Sequence, residues 1–178
     1  MPAAKVLVTA ATQHGATADV AMEIGDELAR HGCAVTVLPP ALVGDVAEYD
    51  AAVIGSALYT GHWLDPAVEF IERNCAALAS RPVWLFSSGP VGDPASRLAR
   101  SMRHDPVEIA PIEAVLGARG HRIFAGRLDA GHLSRGQRAS LLVFHGLKGD
   151  FRDWGEIRQW ARMIANELSG AAAATTDT

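Results

Sequence analysis

Cysteine, excess positive charge and long apolar runs are all scarce in this chain of 178 residues, and each shortage removes a class of function. The two cysteines, Cys33 and Cys75, have apolar or small neighbours. Buried reduced thiols are therefore expected, not a disulfide or metal ligands. Lys and Arg number 16 against 20 Asp and Glu, a formal net charge of −4. A domain that grips phosphodiester backbones carries an excess of cations on one face, so nucleic acid is not an expected partner. Although 49% of the residues are hydrophobic, no apolar run approaches the roughly 20 residues of a transmembrane helix. Met1 to Lys5 lead straight into an apolar segment, without the long core or small-residue cleavage site of a secretory signal. These features predict a cytoplasmic protein with no transmembrane segment: a single domain over residues 1–170, with residues 171–178 as a disordered tail.

Catalytic signatures are missing too. No Gly-x-Ser-x-Gly elbow follows any apolar run, and Ser56, Ser87 and Ser88 have no evident base, which argues against a serine hydrolase. A phosphate-accepting receiver module would need an acidic pair after the first strand and an aspartate ending the third. Those positions hold Thr9-Ala10-Ala11 and Gly55-Ser56.

What is present is an alternation of strand and helix patterns. Lys5 to Thr9, Ala34 to Leu38, Ala51 to Gly55 and Val83 to Phe86 are short apolar runs rich in β-branched residues, and His121 to Phe124 is the best candidate for a fifth strand. From Thr17, Val20, Ile24 and Leu28 recur every four residues, and Gly32 follows as a helix stop. Asp65-Pro66 predicts an N-cap followed by proline at the first helical position, ahead of Val68, Ile71, Cys75 and Leu78. Asp93-Pro94 repeats that start before a shorter helix. Asp153 and Glu156 form a capping-box pattern before a last helix ending near Ser169. Solidly apolar strands alternating with helices predict an α/β fold, a mostly parallel sheet covered on both faces.

In such sheets ligands sit beyond the carboxyl ends of the strands, so the loops after the first, third and fourth strands are the candidate site. The first is Thr9-Ala10-Ala11-Thr12-Gln13-His14-Gly15-Ala16-Thr17, small residues and hydroxyls opening into a helix. It can aim backbone amides at an anion, and it lacks both Gly-Lys-Ser/Thr and Gly-x-Gly-x-x-Gly, so a monophosphate ester fits better than a triphosphate or dinucleotide. A plain helix cap is the other reading. The second loop, Ser56-Ala57-Leu58-Tyr59-Thr60-Gly61-His62-Trp63, sets two aromatics and a glycine where a flat conjugated ring could stack, unless Tyr59 and Trp63 are packing residues. The third, Ser87-Ser88-Gly89-Pro90-Val91-Gly92, is small enough for close backbone approach.

These segments resemble the flavodoxin superfamily, and within it the branch of flavodoxin-type protoporphyrinogen dehydrogenases. Thr12-Gln13-His14-Gly15-Ala16-Thr17 is similar to the family's Thr-x-Thr-Gly-x-Thr loop, with His14 in place of the central hydroxyl. Ile54 to Trp63 resembles the branch's flavin-ring loop, and Gly149-Asp150-Phe151-Arg152-Asp153-Trp154 the lead into its final helix. The resemblance spans about residues 4 to 168. It implies a three-layer α/β/α sandwich around a doubly wound five-stranded parallel sheet of order 2-1-3-4-5. It also implies FMN, with the phosphate on residues 12 to 17 and the isoalloxazine ring between the second and third loops. No side chain is then required as acid, base or nucleophile, since the hard chemistry is the cofactor's.

The partners implied are an electron donor or acceptor, protein or small molecule, with quinone and porphyrinogen as the candidates of the dehydrogenase branch. Those members carry an inserted segment near the membrane. Here Gly126 to Lys148, with Leu141-Leu142-Val143-Phe144 beside Arg135, Arg138 and Lys148, predicts a helix before the last one. It either packs on the sheet or, through 133–148, makes peripheral contact with lipid or a hydrophobic substrate. A deazaflavin in place of FMN, or a fold that has lost its cofactor and serves as a binding module, is the competing expectation.

Overall fold

The computed structural model describes residues 3–89, 105–128 and 149–174. The first strand, β1 (Lys5–Ala11), follows one exposed lysine with six buried residues, as a strand covered on both faces should. Helix α1 (Ala16–Arg30) buries Val20, Ala21, Ile24 and Leu28 along one stripe. It ends where Gly32 takes a φ of 88°. The Gly32 and Cys33 amides there turn back to the carbonyls of Ala29 and Leu28, a stop that favours glycine because no Cβ opposes the left-handed turn.

The remaining elements are β2 (Ala34–Leu38), β3 (Ala51–Tyr59), β4 (His62–Trp63), α2 (Asp65–Ala79), β5 (Val83–Ser88), α3 (Ile109–Leu116), β6 (His121–Phe124), β7 (Arg127–Leu128), β8 (Gly149–Asp150) and α4 (Trp154–Ala174). The main sheet runs β2-β1-β3-β5-β6, every neighbouring pair parallel. Counted over the five expected strands, this is the order 2-1-3-4-5 of a flavodoxin-like α/β fold. Strand order reverses between β1 and β3, which opens a crevice at their carboxyl ends.

Two cores flank the sheet. On one side α1 and α4 pack Ile24, Leu28, Ile157 and Ile164 against Val6, Val8 and Val53. Phe86, Phe124 and Trp160 form a ring cluster there, with centroids 5.5 to 6.2 Å apart. On the other side α2 and α3 pack Phe70, Ile71, Ile109 and Leu116 against Leu7, Ile54 and Leu85.

Three expectations change, and one helix is new. Strand three does not end at Gly55: it continues to Tyr59 and turns back through Thr60-Gly61 into β4, because Leu58 pairs with Trp63 and Tyr59 with His62. Asp65 is not a cap. Leu64 holds that position without a side-chain bond, and Asp65 sits in the first turn, where the helix dipole favours a carboxylate. The last helix runs past Ser169 to Ala174, carried by an alanine run of high helix propensity, so residues 171–174 are not a disordered tail. Helix α3 corresponds to none of the expected helices. The capping half of the Asp153 motif is present, with the Glu156 amide 3.0 Å from Asp153 Oδ1. The helix expected after Asp93-Pro94 lies outside the described residues; of the range 126–148 expected to hold another, Arg127–Leu128 form β7 and 129–148 lie outside the described residues.

Candidate functional site

The turn between β1 and α1 is built to leave a helix end open. Thr12 Oγ1 accepts the Gly15 amide at 3.0 Å, closing residues 12–15 on themselves. Gly15, with φ 85°, is the N-cap of α1 and offers no side-chain acceptor. The first bond inside the helix is from the Asp19 amide to the Gly15 carbonyl, 3.0 Å. The amides of Ala16, Thr17 and Ala18 precede it, at the positive end of the helix dipole, an arrangement suited to an anion. Gln13 and His14 are exposed at the tip, while Thr17 is buried in the first turn. Thr9, buried near the end of β1, carries a hydroxyl without a hydrogen-bond partner.

Behind the first turn of α1 stands Arg152, whose side chain is 4% exposed. Its Nε and Nη2 donate to the two oxygens of Asp150 at 2.8 and 2.6 Å, and its Nη1 donates to Asp19 at 2.9 Å and to the Ala16 carbonyl at 3.2 Å. The guanidinium lies 4.5 Å from the centre of the Trp154 ring. The hydrogen bond with Asp150 pushes Arg152 above its ordinary value and pulls Asp150 below the usual carboxylate range. Residues 149–154 are expected from sequence as the lead into the last helix, with no role for Arg152. The signal was an arginine set between Asp150 and Asp153.

The crevice's second wall is the β3–β4 hairpin. Thr60 (φ 49°) and Gly61 (φ 83°) both adopt left-handed backbone, as a tight two-residue hairpin turn demands. Ala57, Leu58 and Tyr59 are half-buried along its inner strand, and burial pushes the Tyr59 phenol up. Ser56 and Trp63 are buried instead of facing open space. Ser56 Oγ donates to the Ala57 carbonyl and accepts the Leu64 amide, each at 2.9 Å, which ties the hairpin to α2. Trp63 is 3% exposed, and its indole N–H donates to Ser87 Oγ at 2.8 Å. Its ring belongs to the core beneath the hairpin.

The third wall is the end of β5. Ser87 and Ser88 are buried, and Gly89 follows with φ 121°. A Cβ on Gly89 would lie 3.4 Å from that of Leu58, and one on Gly126 would lie 3.2 Å from the Gly89 Cα. Three backbones thus converge closely, and the positive φ of Gly89 favours glycine there. Sheet register sets Ala11 beside Ser56 and Ala57 beside Ser88, so the three loops share one edge. Pro90 and Val91 lie outside the described residues. Beyond Gly126 the chain leaves through β7 and returns through antiparallel β8, and the Phe151 amide bonds the Gly126 carbonyl at 3.2 Å. Leu128 and Gly149, which flank residues 129–148 in sequence, are thus paired with each other near the crevice.

A family model described as a flavodoxin domain matches residues 7–151. The chain belongs to the flavodoxin domain family. No curated protein matches its sequence. Among solved structures it is similar to a flavodoxin from the domain Archaea, at 18% identity and a TM-score of 0.61, covering 93% of this chain and 99% of that one. The two-electron reduced flavodoxin of Megasphaera elsdenii matches at 23% identity and TM-score 0.50, over 66% of this chain and 84% of that one. The rubredoxin oxygen:oxidoreductase of Desulfovibrio gigas matches at 12% identity and TM-score 0.61, over 97% of this chain but 38% of that longer protein. These likenesses are of fold, and they set this flavodoxin domain among flavodoxins and a larger oxidoreductase. None of its described helices is long and apolar enough to cross a membrane.

Proposed function

We propose that the chain binds FMN in this crevice and passes redox equivalents through it. The observation that carries the reading is the open end of α1, uncapped at left-handed Gly15 and flanked by Thr12 and Thr17, at the reversal of strand order. The residues present fit the group. A phosphate ester suits the amides of the first turn without a lysine or a metal. The orphaned Thr9 hydroxyl marks polar capacity at the end of β1 that the fold leaves unspent. The edge where Leu58, Gly89 and Gly126 converge gives backbone groups close access to a flat ring.

When bound, FMN supplies hydride and one-electron chemistry. This chain's residues bind and orient it. Residues 12–17 hold the phosphate, Arg152 neutralises Asp19 beside that turn, and Leu58 to Gly61 with Ser88 and Gly89 shape the ring pocket.

The finer reading is an FMN-dependent oxidoreductase of the protoporphyrinogen or quinone type. It is supported by the pairing of β7 with β8 next to Gly126 and Gly89, since dehydrogenases of the resembled branch carry an insert between the corresponding segments. Residues 133–148 would then meet lipid or a hydrophobic substrate. The protein is read as cytoplasmic, consistent with free Cys33 and Cys75.

The test is the visible absorption spectrum of the purified protein before and after FMN, followed by anaerobic reduction and addition of a quinone or porphyrinogen. Perturbed flavin bands with saturable binding are expected. A protein that ignores FMN contradicts the reading in favour of a deazaflavin or a cofactor-free binding module. A bound flavin that turns over neither substrate marks an electron carrier.

A further inference from the structure

Beneath the crevice runs a buried chain of polar side chains that no motif in the sequence announced. The Trp63 indole N–H donates to Ser87 Oγ at 2.8 Å, Ser87 Oγ lies 2.8 Å from His121 Nε2, and His121 Nδ1 lies 3.0 Å from Asp105 Oδ1. Ser87 has no exposure, the His121 side chain is 4% exposed, and that of Asp105 is 74% exposed. Solvent therefore meets one end and the floor of the crevice the other.

The order serine, histidine, aspartate is that of an activated nucleophile, and it supplies the base that Ser87 lacked on sequence alone. The surroundings do not suit that role. The hydroxyl is sealed from any substrate and already accepts the indole N–H. The Gly89 amide is spent on the Phe124 carbonyl at 2.9 Å, so it is not free to bind an oxyanion.

The arrangement instead makes Ser87 a joint whose bonding depends on one proton. With the Nδ1 proton directed at Asp105, neutral His121 presents Nε2 as an acceptor. Ser87 donates to it while accepting from Trp63, so each atom of the joint is satisfied. A second proton turns Nε2 into a donor. Ser87 Oγ then faces two donors, and its own hydrogen must find another acceptor in a buried place.

Burial pushes His121 below the ordinary histidine value even though Asp105, before α3, and Glu113, on α3, pull it upward. The folded protein thus resists this protonation more than the unfolded chain does. The joint's stability is present above a pH of about 6.5 and is lost as pH falls through the lower folded value.

Trp63 transmits the state of the joint. It pairs with Leu58 in the hairpin that walls the crevice. A second tie comes from Glu108, whose carboxylate binds the His62 ring at 2.6 Å and the Trp63 amide at 3.3 Å. Asp105 and Glu108 both lie in the short segment leading into α3. That segment holds the hairpin from outside through His62 and from inside through His121.

We infer that His121 is a positioning residue for the ring pocket, which loosens the β3–β4 hairpin from the end of β5 when it takes up a proton and so weakens flavin binding in acid. The flavin clause rests on the FMN reading above; the joint itself is testable in the free protein.

The experiment is a titration of tryptophan fluorescence from pH 8 to 5 in the cofactor-free protein, with His121→Gln and Asp105→Asn, and Trp63→Phe to assign the signal among the four tryptophans. FMN dissociation constants are measured over the same range. A quenching step with its midpoint below the usual histidine value is expected. It should vanish in His121→Gln and Trp63→Phe and move to lower pH in Asp105→Asn. FMN affinity should fall on the acid side by up to about tenfold per pH unit, the limit for one linked proton, and this arm should be missing in His121→Gln. An identical fluorescence titration in wild type and His121→Gln overturns the inference, as does an FMN acid arm that survives the substitution. Failure to bind FMN at any pH overturns the FMN reading and the flavin clause with it, while the free-protein titration still decides the joint. Asp105→Asn, at an exposed position, keeps the joint testable should His121→Gln not fold.

Discussion

Replacing Arg152 with alanine is expected to weaken FMN binding by one to two orders of magnitude and to lower the unfolding free energy by about 2 kcal/mol. The guanidinium is buried, and four of its five donors are engaged by Asp150, Asp19 and the Ala16 carbonyl. Without it, two carboxylates stand unneutralised beside the turn proposed to receive the phosphate, and the Trp154 ring loses its cation. Lysine should recover only part of the loss, because an ammonium cannot match two carboxylates and a carbonyl as a planar fork does. Asp19→Asn in the Arg152→Ala background should restore part of the affinity by removing one of the stranded charges. Isothermal titration with FMN and urea unfolding of the four proteins decide it. Unchanged affinity in Arg152→Ala would mean that the phosphate lies away from the first turn of α1.

Gly55→Val is expected to cost about 3 kcal/mol, the upper part of the range for overpacking a core. A Cβ at this position would meet the ring of Phe86, which is paired beside it in the β3–β5 register. The ring has nowhere to go, since it is fully buried and lies 6.1 Å from Phe124 and 6.2 Å from Trp160. Gly55→Ala should cost less, and Phe86→Leu in the same chain should relieve part of that cost, so the double variant should be more stable than the sum of the single effects. Additive losses in urea unfolding would show that the two positions do not meet.

The sheet was legible because its strands are unbroken apolar runs, and the helix between the first two carries a four-residue repeat that ends at Gly32. The turn proposed to hold the phosphate has a local signature: six consecutive residues, 12 to 17, contain the whole pattern. The hairpin was not, because Ser56 to Tyr59 alternate too weakly to read as strand and Thr60-Gly61 lacks the asparagine or aspartate that marks such turns. Trp63 reads either as a ring for stacking or as a packing residue, and what decides for packing is a partner for its indole N–H in Ser87, 24 residues away. Ser87 and His121 are 34 residues apart, and Arg152 reaches Ala16 across 136. Such contacts exist only once the sheet order is formed, and no local pattern encodes them.

The most direct test of the crevice is a two-dimensional amide NMR titration of the protein with FMN. Saturable shifts are expected at Gly15, Thr17, Leu58, Gly61, Ser88 and Gly89, with Lys5, Ala34 and Ala51 at the opposite end of the sheet unmoved. Saturable shifts confined to other residues, or none at all, would contradict an FMN site at the reversal of strand order.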